Sequence, residues 1–233
     1  MEKKGVVSGI SAFGIAGILV LALLITAFMP VSDSRASDAQ DIVDKARVTF
    51  NGFMRDKDYT WLHAHLKDAK GILIYPQVLK AGFIFGGSGG TGVLVVRGQK
   101  GDWSQPAFYT IGSATFGLQI GGEAAEVIVM AMSQKAIDSL LASSFKFGGD
   151  TSIAVGPVGA GAKGNVTADF ISFAKSKGLY AGINFEGAVV DVRDSLNREY
   201  YGKEVSPVDI IIKKEVSNKG SEELRAALKK MAK

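Results

Sequence analysis

Two glycine-rich motifs are the residues whose spacing first suggests a binding chemistry. Both match the pattern G-x-G-x-x-G, and they read Gly87-Ser-Gly89-Gly-Thr-Gly92 and Gly159-Ala-Gly161-Ala-Lys-Gly164. A dinucleotide site needs this turn between a strand and a helix, so that the pyrophosphate meets free N–H groups at the helix N-terminus. Strand-like sequences follow both motifs here, which argues against a dinucleotide site. Two interpretations remain: glycine turns and bulges in a curled sheet, or loops whose bare backbone N–H groups hold a phosphate headgroup.

Side chains suited to catalysis or metal binding are few in this chain. It has no Cys and only two His, His63 and His65, which excludes thiol nucleophiles, Cys-based zinc sites and three-His zinc sites. At positions i and i+2 of a predicted helix the two His do not share a face, which disfavours a metal pair. If the chain is a hydrolase with an unrecognised site, Glu123 and Asp191 are the candidate residues. We expect no metal, no cofactor and no catalytic residue.

Basic side chains are the predicted ligands of an anionic headgroup. They lie at predicted strand ends and turns: Lys70, Lys80, Arg97, Lys163, Lys175 and Lys177. The glycines predicted to assist them through loop N–H groups are Gly87, Gly89, Gly92, Gly159 and Gly161. Lys and Arg at strand ends are usually only solvent-exposed residues at the rim of a sheet. If several share one rim, each contributes on the order of 1 kcal/mol of attraction to an anionic leaflet.

The N-terminus is predicted to be an export signal or a membrane anchor. Lys3 and Lys4 precede an uncharged stretch over residues 5–32, which contains fourteen consecutive apolar or near-apolar residues. That is the length of a signal-peptide core, and small residues allow cleavage after Ala36. The competing interpretation is a retained anchor over residues 6–29, because the whole uncharged stretch is long enough to span a bilayer. Both interpretations place the rest of the chain across a membrane, in a bacterial periplasm.

Residues 37–233 are predicted to be the working domain. After cleavage the chain keeps 24 basic and 21 acidic residues, a formal net charge of +3. This charge favours an anionic lipid surface and is too small to indicate nucleic acid.

The elements that must position these residues follow from periodicity. Helical spacing predicts helices over residues 38–57, 60–67 and 133–144 and a C-terminal helix that begins at Ser221. Between residues 71 and 193, short apolar runs separated by glycine predict ten antiparallel strands. The predicted strands are 71–75, 80–86, 91–97, 106–111, 115–120, 124–132, 152–156, 166–174, 178–185 and 188–193. The fold class is therefore α+β, with a strongly curled, barrel-like or sandwich-like antiparallel sheet and packed N-terminal, inserted and C-terminal helices.

Several unusual sequence blocks occur in a fixed order. They are AKGILIYPQVLKAGFIFGGSGGTGVLVVR, IGSATFGLQIGGE, GPVGAGA, FISFAKSKGLYAGINFEG and NREYYG. Over residues 60–215 this order resembles the SYLF domain family. The resemblance implies a mainly β domain with helices around it, affinity for anionic phospholipid and no cofactor. It carries the headgroup role to Lys70, Lys80 and Arg97, and to Lys175 and Lys177 in the FAKSKG block.

The first functional hypothesis is non-enzymatic binding of anionic phospholipid by an exported envelope domain. For an exported chain the resemblance does not imply actin binding or a phosphoinositide preference. The second hypothesis is an envelope scaffold that uses the sheet rim to bind a protein partner.

Overall fold

The computed structural model describes residues 38–82, 85–116, 121–149, 151–176 and 185–232. The predicted leader over residues 1–36 and the predicted ligand Lys177 lie outside these residues. Within the described part of the chain, no helix combines the length and the hydropathy needed to cross a bilayer.

One eight-stranded sheet forms the centre of the fold. The described strands are β1 (Gly71–Gly82), β2 (Phe85–Val96), β3 (Ala107–Phe116), β4 (Gly121–Ala131), β5 (Ser144–Lys146), β6 (Ile153–Val155), β7 (Phe170–Ser176) and β8 (Val189–Val192). Their order is β5-β8-β3-β2-β1-β4-β7-β6, and every pair is antiparallel except β6 with β7. The sheet curls into a half-barrel, which confirms the predicted α+β class.

Among the described residues, five α-helices and one π-helical turn accompany the sheet, together with short 3-10 helices. They are α1 (Asp38–Arg55), α2 (Thr60–His65), α3 (Gln134–Leu140), α4 (Asp194–Tyr201), the π-helical turn Val208–Ile212 and α5 (Glu222–Met231). The four predicted helices are present with shorter ends. Ser133 caps α3 as its residue type predicts, since its Oγ accepts a hydrogen bond from the Ala136 N–H at 3.0 Å. Helix α4 was not predicted, because its exposed surface is polar and only Asn197 and Tyr200 are buried.

Both faces of the sheet carry an apolar core. Alternate residues of a strand point to opposite faces, so neighbours such as Ile74 and Tyr75 join different clusters. On one face α1 packs through Phe50 and Phe53, with α2, α4 and α5 beside it. On the other face α3 and the π-helical turn cover the strands, with Ile137 among the buried side chains. Double coverage explains the continuous apolar runs of the central strands.

A bulge bends the central strand β1. Tyr75 and Pro76 of β1 lie opposite the single residue Gly92 of β2. Pro76 has no N–H to give to a ladder, and a bulge is the place where an inner strand tolerates it. The backbone of β1 approaches so closely that a Cβ on Gly92 would lie 2.2 Å from the Ile74 carbonyl oxygen. Glycine at position 92 is therefore required by packing against the bulge.

The first glycine motif lies inside a strand and not in a loop, which confirms the other interpretation, glycine at a bulge in a curled sheet. Gly87, Gly89 and Gly92 belong to β2, which pairs with β1 on one side and β3 on the other. Consecutive glycines usually mark turns, whereas here Gly92 allows the backbone of β1 to come close at the bulge. Gly159 and Gly161 do lie in a loop, and both have the left-handed backbone that favours glycine, with φ of 126° and 77°.

Other strand boundaries differ from the predicted ones. The predicted strand 71–75 and the start of the predicted strand 80–86 form one strand, β1, with the bulge inside it, whereas Phe85 and Gly86 begin β2. The predicted strand 166–174 becomes strand only from Phe170. Nearly all of the predicted strand 178–185 lies outside the described residues. Strand β5 has three residues, too few to give a periodic signal.

Candidate functional site

A groove of about 600 Å³ lies at the end of the sheet where β1 begins and β2 ends. Lys70 precedes β1 and Arg97 follows β2, and the Arg97 N–H donates to the Lys70 carbonyl at 2.7 Å. We call this site the basic groove and define it by the lining residues Lys67, Lys70, Arg97, Gln99, Gln134 and Ile212. The local structure is dictated by the β1–β2 ladder, which ends with Gly71 opposite Val96 and brings the two flanking basic residues together.

Lys67 and Lys70 are the exposed cations of the basic groove. Among the described residues, no carboxylate lies within ion-pair distance of either Nζ atom. Asp68 also lines the groove and is the acidic group nearest in sequence to both lysines. Two ammonium groups that are unpaired among the described residues, with the amide of Gln99 on the same lining, make a site that can accept a phosphate group. The amide of Gln134 already donates to Oδ1 of Asp138 at 2.9 Å.

Arg97 has a structural role within the basic groove. Its guanidinium donates through Nη1 to the Lys67 carbonyl and through Nη2 to the Ala232 carbonyl, the latter at 3.0 Å. These bonds join the segment before β1 to the C-terminal end of α5. Because Nη1 and Nη2 of Arg97 already donate to these carbonyls, Arg97 contributes positive charge to the groove more than free hydrogen-bond donors.

Lys80 lies far from the basic groove. It is ten residues along β1 from Lys70, a separation of roughly 30 Å at the usual rise of a strand. Its cross-strand neighbours are Ser88 on β2 and Glu123 on β4. Lys80 therefore does not share a rim with Lys70 and Arg97.

Lys175 is committed to an ion pair. Its Nζ lies 2.7 Å from Oδ2 of Asp56, and both side chains are largely buried, with 35% and 20% exposed. The Lys175 hydrogen bond, with a further one from the Asp58 N–H, holds the pKa of Asp56 below its ordinary value. A lysine paired in this way offers little attraction to a headgroup.

Lys163 belongs to a second, smaller pocket of about 340 Å³ between the second glycine motif and α2. The loop is fixed there, because the Trp61 indole N–H donates to the Gly164 carbonyl and the Gly159 N–H donates to the Asp58 carbonyl, both at 2.8 Å. Trp61 also stacks on His65 with ring centroids 3.8 Å apart. The pocket wall is largely apolar, and Lys163 lies outside the basic groove.

The structure thus brings together Lys70 and Arg97, and places Lys80, Lys163 and Lys175 elsewhere. Sequence reasoning missed Ile212 as a member of the site. The available signal was the run from Ile210 to Lys214, three isoleucines followed by two lysines. That run reads equally well as a buried strand, because a short apolar run has no period of its own.

The candidate hydrolase residues lie apart from each other. Asp191 is exposed on β8, and Glu123 is half-buried opposite Lys80 on the β1–β4 ladder. His63 Nε2 and His65 Nδ1 each contact a backbone carbonyl, at 2.9 and 2.8 Å. Within the described ranges, no cluster of His, Asp and Glu is suited to hold a metal ion.

Comparison with known proteins identifies relatives of the chain. Residues 112–231, just over half of its length, match the family described as "Ysc84: Las17-binding protein actin regulator". Protein YSC84 of Saccharomyces cerevisiae is 38% identical over 145 residues, which are 59% of this chain and 31% of that protein. LAS seventeen-binding protein 3 of the same yeast is 37% identical over 145 residues, with coverage of 59% and 31%. Human SH3 domain-containing YSC84-like protein 1 is 33% identical over 148 residues, with coverage of 61% and 43%.

The chain spans less than half the length of each of these relatives. The family description and the name of LAS seventeen-binding protein 3 describe binding or regulatory proteins. The resemblance read from the ordered sequence blocks is confirmed.

Proposed function

Because the chain belongs to the Ysc84 family, which is also the SYLF family, we propose that it binds anionic phospholipid through the basic groove and transforms no substrate. The observation that carries the proposal is that Lys67 and Lys70, whose exposed ammonium groups are unpaired among the described residues, share one groove with Ile212. Phosphate binds ammonium groups, and an apolar side chain beside them suits the boundary between headgroups and acyl chains.

The proposal also includes location. The chain would act in a bacterial envelope, either free in the periplasm after cleavage at Ala36 or tethered to the inner membrane by residues 6–29. The uncharged N-terminal stretch after two lysines supports export. Mass measurement of the protein purified from its host distinguishes the two forms, because the cleaved chain begins at Ser37.

Vesicle co-sedimentation tests lipid binding directly. The folded domain should bind phosphatidylglycerol or cardiolipin vesicles, bind phosphatidylcholine vesicles weakly, and lose affinity as salt shortens the Debye length from about 30 Å at 0.01 M to about 10 Å at 0.1 M. Lys67→Gln/Lys70→Gln should weaken binding about thirty-fold, from about 1 kcal/mol per lysine. Absence of binding to both anionic lipids at low salt would refute the proposal.

A charge-matched variant locates the site. Lys80→Gln/Lys163→Gln removes the same charge from residues that lie outside the basic groove. We expect it to change affinity no more than three-fold, through the weak field of the whole protein. Equal losses in both double variants would mean that net charge, and not the basic groove, attracts the membrane.

A protein partner is the second candidate function. The relative named LAS seventeen-binding protein 3 is named for a binding partner, and the family description names the same interaction. If this chain is an envelope scaffold, a pull-down from lipid-free extract will recover one protein in stoichiometric amount. Lys67→Gln/Lys70→Gln would leave that complex intact if the partner uses another surface.

A further inference from the structure

The run Ile210-Ile211-Ile212 divides between the core and the surface. Ile210 and Ile211 are 0% and 4% exposed and belong to the core cluster beneath the π-helical turn, whereas Ile212 is 55% exposed. Ile212 also lines the basic groove with Lys67 and Lys70. A large apolar side chain thus lies beside two unpaired lysines.

The position of Ile212 is fixed by a network of hydrogen bonds around the turn. Oδ2 of Asp209 accepts from the N–H and the hydroxyl of Ser206, at 2.9 and 2.6 Å. Its Oδ1 accepts from Nζ of Lys213 at 2.8 Å, and the Lys213 N–H donates to the Val208 carbonyl at 2.9 Å. The exposure of Ile212 is therefore a feature of an ordered turn.

The charges around Ile212 favour an anionic leaflet. Lys214 is exposed, and it has φ of 57°, the left-handed region that is uncommon for residues other than glycine. Among the described residues, no carboxylate lies within ion-pair distance of Lys214, whereas Lys213 is paired with Asp209. Among the described residues, Lys67 and Lys70 are thus unpaired cations that share the groove with Ile212, and Lys214 is a third exposed, unpaired lysine two residues after Ile212.

We propose that Ile212 is a membrane wedge, which enters the acyl-chain region of an anionic leaflet while Lys67, Lys70 and Lys214 contact lipid phosphates. This inference rests on the proposed lipid binding and adds the element that penetrates the bilayer. An exposed apolar side chain that shares a groove with exposed lysines suits the boundary between headgroups and acyl chains of an anionic membrane.

Leu79 offers a matched comparison, because it is also 55% exposed. Its cross-strand neighbours are Ala124 and Gly89, which carry no charge. The adjacent Lys80 points to the opposite face of the strand and lies opposite Glu123. Exposure alone therefore does not select Ile212; the surrounding charge does.

A single introduced cysteine reports insertion without interference, since the natural sequence has none. An environment-sensitive dye attached to Ile212→Cys should shift to the blue on phosphatidylglycerol vesicles and be quenched by spin-labelled acyl chains. The same dye on Leu79→Cys should show neither change. An unshifted, unquenched dye at position 212 on protein that is bound to vesicles would overturn the wedge while leaving lipid binding intact.

Affinity provides the second readout. Ile212→Ser should bind phosphatidylglycerol vesicles about ten-fold more weakly, from the apolar area still available for burial, and Leu79→Ser should stay within about two-fold of the parent, since its side chain remains in water. If Ile212→Ser binds as tightly as the parent, the wedge is wrong. If the parent protein itself fails to bind anionic vesicles, the proposed function fails and the wedge fails with it.

Discussion

Replacing Gly92 by alanine tests the bulge that shapes the central strands. A Cβ at position 92 would lie 2.2 Å from the Ile74 carbonyl oxygen, 2.7 Å from Cδ1 of Tyr75 and 2.9 Å from the Ile74 carbonyl carbon. Ordinary contact begins at 3.4 Å, so the oxygen is too close by about 1.2 Å. Two of the three neighbours are backbone atoms, which cannot rotate away as a side-chain end can. The β1–β2 pair must therefore separate locally.

The cost follows from overpacking an interior at close-packed density. We expect Gly92→Ala to lower the free energy of unfolding by roughly 3 kcal/mol, the upper part of the range for overpacked cores. For a folded unit of about 200 residues this corresponds to a fall in Tm of about 6–12 °C. Urea denaturation and thermal unfolding followed by circular dichroism measure both quantities.

Gly89→Ala is the matched control in the same strand and the same glycine motif. Its Cβ would lie 3.6 Å from the Ile111 carbonyl oxygen, an ordinary contact on an exposed part of β2. Its stability should be unchanged or raised by up to about 1 kcal/mol, because alanine restricts the unfolded chain. If Gly92→Ala unfolds within 0.5 kcal/mol of the parent, roughly the scatter of ordinary surface changes, the bulge does not require glycine. A loss of vesicle binding by Gly89→Ala with unchanged stability would restore the headgroup role predicted for the motif.

Three further substitutions probe the contacts that hold the basic groove and the helices in place. Asp56→Asn keeps an acceptor for the Asp58 N–H but loses the charge that pairs with Lys175; we expect a loss of about 0.5–1 kcal/mol at pH 7 in urea denaturation. The folded-state pKa of Asp56 is lowered, so this stabilisation is present above the ordinary value of 3.8 and is lost as the pH falls through the lowered pKa; a difference between the two proteins that does not shrink as the pH falls below 3.8 would contradict the pairing. Arg97→Lys keeps the charge but cannot bridge the Lys67 and Ala232 carbonyls. We expect faster hydrogen exchange at the end of α5 and a free energy of unfolding lower by about 1 kcal/mol in thermal unfolding. Vesicle binding should be unchanged. Asn197→Ala leaves the buried Phe108 N–H, which now donates to Oδ1 of Asn197 at 2.9 Å, without an acceptor; unfolding in urea should show a loss of about 2 kcal/mol, and a loss below 0.5 kcal/mol would mean that water replaces the amide.

The fold class was predictable because apolar periodicity and burial reflect the same physical requirement. The run of α1 shows helical spacing, and the residues at that spacing, such as Phe50 and Phe53, are the buried ones. The central strands read as continuous apolar runs because both faces are covered. Local sequence was therefore sufficient wherever one element buried one consistent face.

The bulge was beyond local prediction. Pro76 lies between the predicted strands 71–75 and 80–86, where the structure has the continuous strand β1. Only the partner strand reveals the solution, since Gly92 on β2 makes room for the extra residue. The bulge depends on the pairing of Pro76 with Gly92, sixteen positions apart in sequence. The sequence of β1 alone does not contain this information.

The candidate site was predictable in part for a similar reason. Lys70 and Arg97 were both predicted as headgroup ligands at strand ends, and the antiparallel pairing of β1 with β2 brings them together. The sequence did not show that the strand after Lys70 pairs with the strand before Arg97. Ile212 reaches the same groove from a π-helical turn more than a hundred residues later. Its exposure depends on how Ile210 and Ile211 pack, which the sequence of three isoleucines does not reveal.

A basic residue is available to a headgroup only if the fold has not already used it. Lys175 is held by Asp56, and the guanidinium of Arg97 is directed at two backbone carbonyls, so neither offers what its charge suggests. Lys67 and Lys70 carry the same formal charge and are unpaired among the described residues, in a groove that also presents Ile212. Because solvent-exposed ammonium groups lose little on approaching an anionic surface while paired ones must first give up a partner, attraction to a membrane should depend on these two lysines far more than on net charge.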